Sequence, residues 1–192
     1  MLKLLRNVDL EALKTHVVRL ARAGVRPLLA GTMGEGLHLA HGERAKLVRT
    51  VREALDTGGF HNFPIVVGTG GGSTRETLAF CAEAANAGAD AVIVITPGYF
   101  AGVLANHRRA LKSFFVEVAE RSALPVLIYN CLSATTDQCG LIDMCALTVP
   151  GATGGIDLDS DLILDLATTC PNICGVKLTC VLLDCLQGAT TQ

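Results

Sequence analysis

An excess of charge of either sign is missing from this sequence. Its 16 Lys and Arg residues stand against 18 Asp and Glu, a formal net charge of −2, and no run of like charge occurs. That balance leaves no electrostatic footprint for nucleic acid or for an anionic membrane surface. Long apolar runs are missing as well. No stretch approaches the roughly 18 to 20 residues that span a bilayer, and the opening MLKLLRNVDLEALK turns acidic before a signal-type hydrophobic region forms. The chain therefore reads as intracellular, with a cytoplasmic address expected and a mitochondrial one the alternative if a lost leader carried a targeting segment. Eight cysteines are present but no CxxC pair is, so neither a zinc site nor a secreted disulfide framework is indicated. Cys170 and Cys174 flank Pro171 and read as thiols of a core.

What is present is a chain of 192 residues, 50% hydrophobic and 18% charged, large enough to bury a core and suited to small-molecule chemistry. Short apolar runs alternate with longer stretches of helical period, the pattern of βα units whose parallel strands are buried on both faces. Strands are expected over 25–30, 65–68, 91–96, 126–130 and 173–177, and helices over 10–23, 42–56, 74–87, 105–121 and 160–169. The strands run into polar or glycine-containing loops: GTMGEG at 31–36, GTGGGST at 68–74, TPGY at 96–99, and YN at Tyr129 and Asn130. In parallel α/β folds ligands bind at such carboxyl-end loops. Five strands in 192 residues fall short of an eight-stranded barrel, which takes roughly 250 residues. The fold is thus an open doubly wound sheet or an incomplete barrel, and periodicity alone does not choose.

Three motifs invite chemistry, and each has a plainer explanation. The 68–74 loop could cradle an anion on its glycine amides, but it lacks a P-loop ending, and Ser73 with Glu76 forms a capping box that accounts for its polar residues. Lys177 closes the apolar strand ICGVK, where a desolvated amine can become neutral and nucleophilic, or where the side chain simply reaches solvent. Tyr129, ending LPVLIYN, is either a packed aromatic or a proton-relaying phenol.

The string GTMGEGLHLAHGER at 31–44 resembles the G-[TS]-x-G-E...L...ER signature of the dihydrodipicolinate synthase and N-acetylneuraminate lyase family of class I aldolases. AGADAVIVITPGYF, PVLIYN and GVK follow in the family's order and resemble its GAD...TPxY, PV..YN and G.K motifs. The run GIDLDSDLI followed by NICGVKLTC looks most like the fungal branch that includes L-threo-3-deoxy-hexulosonate aldolase and 4-hydroxy-2-oxoglutarate aldolase-like proteins.

The resemblance implies a single (β/α)8 TIM-barrel domain over 1–192, incomplete in that the first strand and the last two would be missing. It implies that Lys177 forms an imine with the 2-oxo carbon of a small 2-oxo acid and that Tyr129 relays the proton. Thr32 matches the hydroxyl that bridges this tyrosine to a second one donated by a partner subunit, and Tyr99 sits at that second position. Backbone N–H groups across Thr32, Met33, Gly34 and Glu35 would hold the substrate carboxylate, with no cofactor and no metal. A homo-oligomer, dimer or tetramer, is implied as partner, with neither nucleic acid nor membrane.

Two segments depart from the family pattern. Residues 131–148 interrupt its YNxPG motif, and 181–192 replace the helix start that relatives place after KLTC; both read as an insertion and a non-family tail of translated-intron character. Aligned without a gap, Ala134 stands where dihydrodipicolinate synthases carry an arginine, and with 131–148 treated as inserted the arginine is still missing, so either alignment weighs against lysine biosynthesis. The readings to be tested are a 2-oxo acid aldolase, a catalytically inactive family member, a dihydrodipicolinate synthase, and an unrelated anion-binding α/β module using GTGGGST.

Overall fold

A computed structural model describes residues 8–130, 153 and 155–178. The segments 131–148 and 181–192 lie outside the described residues. The elements are α1 (Leu10–Arg22), β1 (Leu28–Leu29), a 3-10 turn (Gly36–His38), α2 (Glu43–Thr57), β2 (Val66–Gly68), α3 (Thr74–Asn86), β3 (Ala91–Ile95), α4 (Ala101–Leu104), α5 (Arg108–Arg121), β4 (Val126–Asn130), α6 (Ser160–Thr169) and β5 (Ile173–Leu178).

Local chemistry explains the helix starts. Asp9, Ser73 and Asp159 cap α1, α3 and α6, each side chain accepting the amide of the residue three positions on. Leu13, Val17 and Ala21, spaced by four, give α1 its buried stripe. On α2 the stripe is broader, and Val48, Val51 and Leu55 have no exposed surface at all. Burying each such side chain contributes about 1.5 to 3 kcal/mol.

All five strands are parallel and lie in the order β1-β2-β3-β4-β5. Doubly wound sheets reverse their strand order at a switch point, whereas this order never reverses, so the helices pack on one face and touch their chain neighbours: α1 on α2, α2 on α3, α3 on α5, α5 on α6. Between the two architectures left open by periodicity, this is the partial barrel. Its outer face, Val67, Val92, Val94, Val126 and Ile128, is sealed under the helices. Its inner face carries a second cluster, Ile93 and Tyr129 with Val66, Ile95 and Leu127 against them.

The expected strand at 25–30 contracts to two residues. Pro27 has no N–H to donate, and Ala30 takes a left-handed φ of 51° that ends the extended run. The helix expected from 105 begins at Arg108, and the four-residue α4 precedes it.

Candidate active site

β5 reaches its position through an irregularity. Val126 pairs with Ile173 but Leu127 pairs with Gly175, leaving Cys174 as an extra residue on β5. Ile173 packs on the outer core with Val126. Strict alternation would keep residues 173, 175 and 177 on that same face, away from the barrel interior. The bulge at Cys174 reverses the phase, so Lys177 comes to lie opposite Tyr129. Lys177 Nζ sits 3.9 Å from the centroid of the Tyr129 ring, a cation–ring contact that fixes amine and phenol side by side. Tyr129 is buried and Lys177 half-buried.

The loop after β1 is held under strain. Ala30 and Glu35 both have left-handed φ, 51° and 57°, and they bracket 31–34. Such conformations cost about 1 to 3 kcal/mol each for non-glycine residues and persist only where the surroundings enforce them. Glu35 donates its amide to the Thr32 carbonyl and Gly36 donates to that of Gly31. The amides of Thr32, Met33 and Gly34 donate to no other group among the described residues. Of the four amides expected to face a carboxylate, Glu35's is thus engaged within the loop and three successive ones remain open. The Met33 side chain is 91% exposed, so only its backbone is placed to serve the site.

Sequence reasoning passed over Arg44, which appears in the motif only as the R of ER. Its side chain is 3% exposed, with Nε donating to the Gly68 carbonyl at 2.9 Å and a second guanidinium nitrogen to the Gly36 carbonyl at 3.0 Å. The guanidinium carbon stands 3.9 Å from the Phe80 ring centroid. Burial pulls its pKa down from the ordinary value, against the raising fields of Glu83 and Glu76. Gly36 and Gly68 are required here for close approach: a Cβ on either would lie 2.1 Å from the Ala30 carbonyl oxygen. An arginine buried in a helix leaves no periodic signal; the two glycines at strand-end loops were the available hint.

Asn130 also has a role that the YN motif alone did not define. Buried at 6% exposure, it donates to Asp157 Oδ1 at 2.8 Å and to the Leu158 carbonyl at 3.0 Å, and accepts from the Leu158 amide at 3.1 Å. The end of β4 is thereby tied to the chain that leads into α6.

Thr32 and Tyr99 are not drawn into this cluster. Thr32 is exposed and no hydrogen bond joins it to Tyr129. Tyr99 is 87% exposed and lies edge-on to Phe100, ring centroids 4.9 Å apart. The 68–74 loop turns its donors inward: the Gly72 amide donates to Glu76 Oε2 at 2.6 Å and the Gly71 amide to Thr77 Oγ1 at 3.1 Å, with the Ser73 cap as expected. A carboxylate of the chain itself occupies the place an anion would take. A surface groove lined by Thr74, Arg75, Leu78, Glu117 and Arg121 lies on α3 and α5 and contains none of the expected site residues. Among the described residues no three His, Cys, Asp or Glu side chains are grouped to hold a metal, and no helix is long and apolar enough to cross a membrane.

Comparison with known proteins gives a consistent result. The model of the dihydrodipicolinate synthetase family matches residues 5–187. A protein of Emericella nidulans named as a mitochondrial 4-hydroxy-2-oxoglutarate aldolase is 40% identical over 91% of this chain and 50% of its own length. The L-threo-3-deoxy-hexylosonate aldolase of Aspergillus niger is 35% identical over 91% of this chain and 46% of its own. Among solved structures, a dihydrodipicolinate synthase family protein from Coccidioides immitis superposes with a TM-score of 0.75 at 33% identity, over 96% of this chain and 52% of that one. The dihydrodipicolinate synthase of Acinetobacter baumannii, solved with pyruvate, gives 0.72 at 28% identity over 95% and 56%. The chain spans about half the length of the curated relatives it matches. With an in-order five-strand barrel segment, a strand-end lysine set against a strand-end tyrosine, and a family match over nearly its whole length, the chain belongs to the dihydrodipicolinate synthetase family.

Proposed function

We propose that this chain carries the reaction core of a Schiff-base aldolase that cleaves or joins a 2-oxo acid, either a 2-oxo-3-deoxy sugar acid or 4-hydroxy-2-oxoglutarate, with pyruvate or glyoxylate and an aldehyde as the other side of the reaction. The observation that carries the reading is the placement of Lys177 Nζ 3.9 Å from the centre of the Tyr129 ring at the carboxyl ends of adjacent strands. In its neutral form the Lys177 amine adds to the 2-oxo carbon; a C–N bond forms, water departs and an iminium remains. In the cleavage direction the C3–C4 bond breaks, its electron pair passes into the iminium to give an enamine, and the C4 hydroxyl loses its proton as the aldehyde leaves. Protonation of the enamine at C3 and hydrolysis then release the keto acid and free the lysine. Tyr129 is the proton carrier in this scheme. The open amides of Thr32, Met33 and Gly34 receive the carboxylate. Thr32 and the exposed Tyr99 serve the relay across a homo-oligomer interface, as dimer or tetramer. Two similar proteins bear mitochondrial names, which favours a mitochondrial over a cytoplasmic address.

A second reading, a family member that does not turn over, is favoured by the inner sheet face. Val66, Ile95 and Leu127 there are only partly buried, so the wall beside Lys177 is incompletely covered by the described residues. Borohydride trapping separates the two. Incubation of the folded protein with pyruvate, reduction and peptide mapping are expected to place the adduct on Lys177 and to lose it in Lys177→Ala. Soluble, folded protein that yields no adduct would transfer the case to the inactive reading.

A further inference from the structure

Arg44 stands behind the strained loop and touches none of the groups assigned to the chemistry. Its two donors close on the carbonyls of Gly36 and Gly68, one on each side of the Ala30 carbonyl that both glycines crowd. Ala30 and Glu35, the two left-handed non-glycine residues, mark the ends of the segment it secures. Left to themselves, two such residues would relax toward right-handed conformations, and the turn displaying the Thr32, Met33 and Gly34 amides would open. Phe80 backs the guanidinium, and Glu83 and Glu76 supply counter-charge.

We propose that Arg44 is the positioning residue for carboxylate recognition: by tying Gly36 to Gly68 it holds the 31–34 amides in their anion-receiving arrangement without itself meeting substrate. This rests on the Schiff-base reading for the identity of the ligand and on the hydrogen bonds alone for the clamp. The planar fork of arginine reaches both carbonyls at once, which a lysine ammonium cannot reproduce from the same position.

The test uses the 192-residue protein and the variants Arg44→Lys and Arg44→Met. Amide hydrogen exchange is expected to accelerate at least tenfold in both variants at Glu35, Gly36 and His38, whose amides donate within 31–38, with β3 and β4 unchanged. Reductive trapping at Lys177 is then compared for pyruvate and for hydroxyacetone, which has a ketone but no carboxylate. The half-saturating pyruvate concentration should rise roughly tenfold, the equivalent of one charge-assisted hydrogen bond, while that for hydroxyacetone stays the same. Added guanidinium should restore pyruvate binding in Arg44→Met. Equal losses for the two ketones, or faster exchange spread over every strand, would reduce Arg44 to a general stabiliser and overturn the proposal; so would unchanged exchange over 31–38. If wild-type protein traps no pyruvate, the Schiff-base reading fails and with it the carboxylate role, while the exchange arm still decides whether Arg44 holds the loop.

Discussion

Helix α2 sends one arginine to each end of the sheet, and the two ends are built differently. Arg44, at the carboxyl end, holds a loop with two left-handed residues, open amides and exposed apolar side chains such as Met33 and Leu37. Arg52, at the amino end, meets the carbonyls of Gly88 and Phe63 and the carboxylate of Asp90, whose Oδ2 also accepts the Ile65 amide at 2.7 Å. The amino-end network satisfies its polar groups within short connections. The carboxyl end keeps strain and unsatisfied donors in place. A barrel segment divides its work this way because strand ends at one side present loops to the ligand while the other side only closes the turn. The GAD motif, which drew attention as family signature, thus supplies Asp90 to stability rather than to the site.

The largest effect expected to break this division is at the carboxyl end. Tyr129→Phe keeps the ring over which the Lys177 ammonium sits and removes only the phenol. Final adduct yield from the folded protein should change little, whereas the rate of pyruvate adduct formation should fall by about a hundredfold, the scale of one lost general acid–base group. Timed trapping followed by intact mass measurement reads it. An unchanged rate would assign the proton transfer elsewhere.

Arg52→Met should show the opposite signature. Three backbone-carbonyl bonds and the Asp90 contact go, leaving Gly88, Phe63 and Asp90 to find water at a site only partly open to it. A loss of about 2 kcal/mol in unfolding free energy is expected, measured by urea titration, with trapping kinetics of the folded fraction unaltered. A kinetic change larger than the stability change would mean that the two ends are coupled through α2.

The elements were legible in the sequence to different depths. Buried parallel strands flanked by helical stretches read directly, because both faces of each strand are apolar and the helices carry clear caps at Asp9, Ser73 and Asp159. Periodicity did not choose between sheet and barrel, since strand order is a long-range property; the family resemblance did, and the in-order sheet agrees with it. Tyr129 and Lys177 were found through motif resemblance, but their juxtaposition depends on the Cys174 bulge. Period-two counting from Ile173 would have turned Lys177 outward. Arg44 escaped notice because an arginine on a helix ordinarily reads as solvent-facing, and α4 because its sequence AGVL offers neither a side-chain cap nor a sustained period.

The smallest effect expected lies beneath the carboxyl end, at Cys81 on α3. Its thiol is buried, with Sγ 3.3 Å from Thr69 Oγ1 just past β2, and burial pushes its pKa up, opposed by the Thr69 hydrogen bond. In the unfolded chain this thiol ionises near the ordinary value of about 8.5; in the folded chain it keeps its proton to higher pH. The folded state therefore binds more protons across that window, and its stability is full below about pH 8.5 and declines as pH rises toward the folded value, by at most about 1.4 kcal/mol per unit. Other ionising groups will share in the measured slope. The contribution of Cys81 is isolated by subtracting the slope of Cys81→Ala, which should be shallower above this pH and parallel below it. Identical slopes would mean that the thiol titrates alike in both states, and that water reaches the space behind the Thr69 loop.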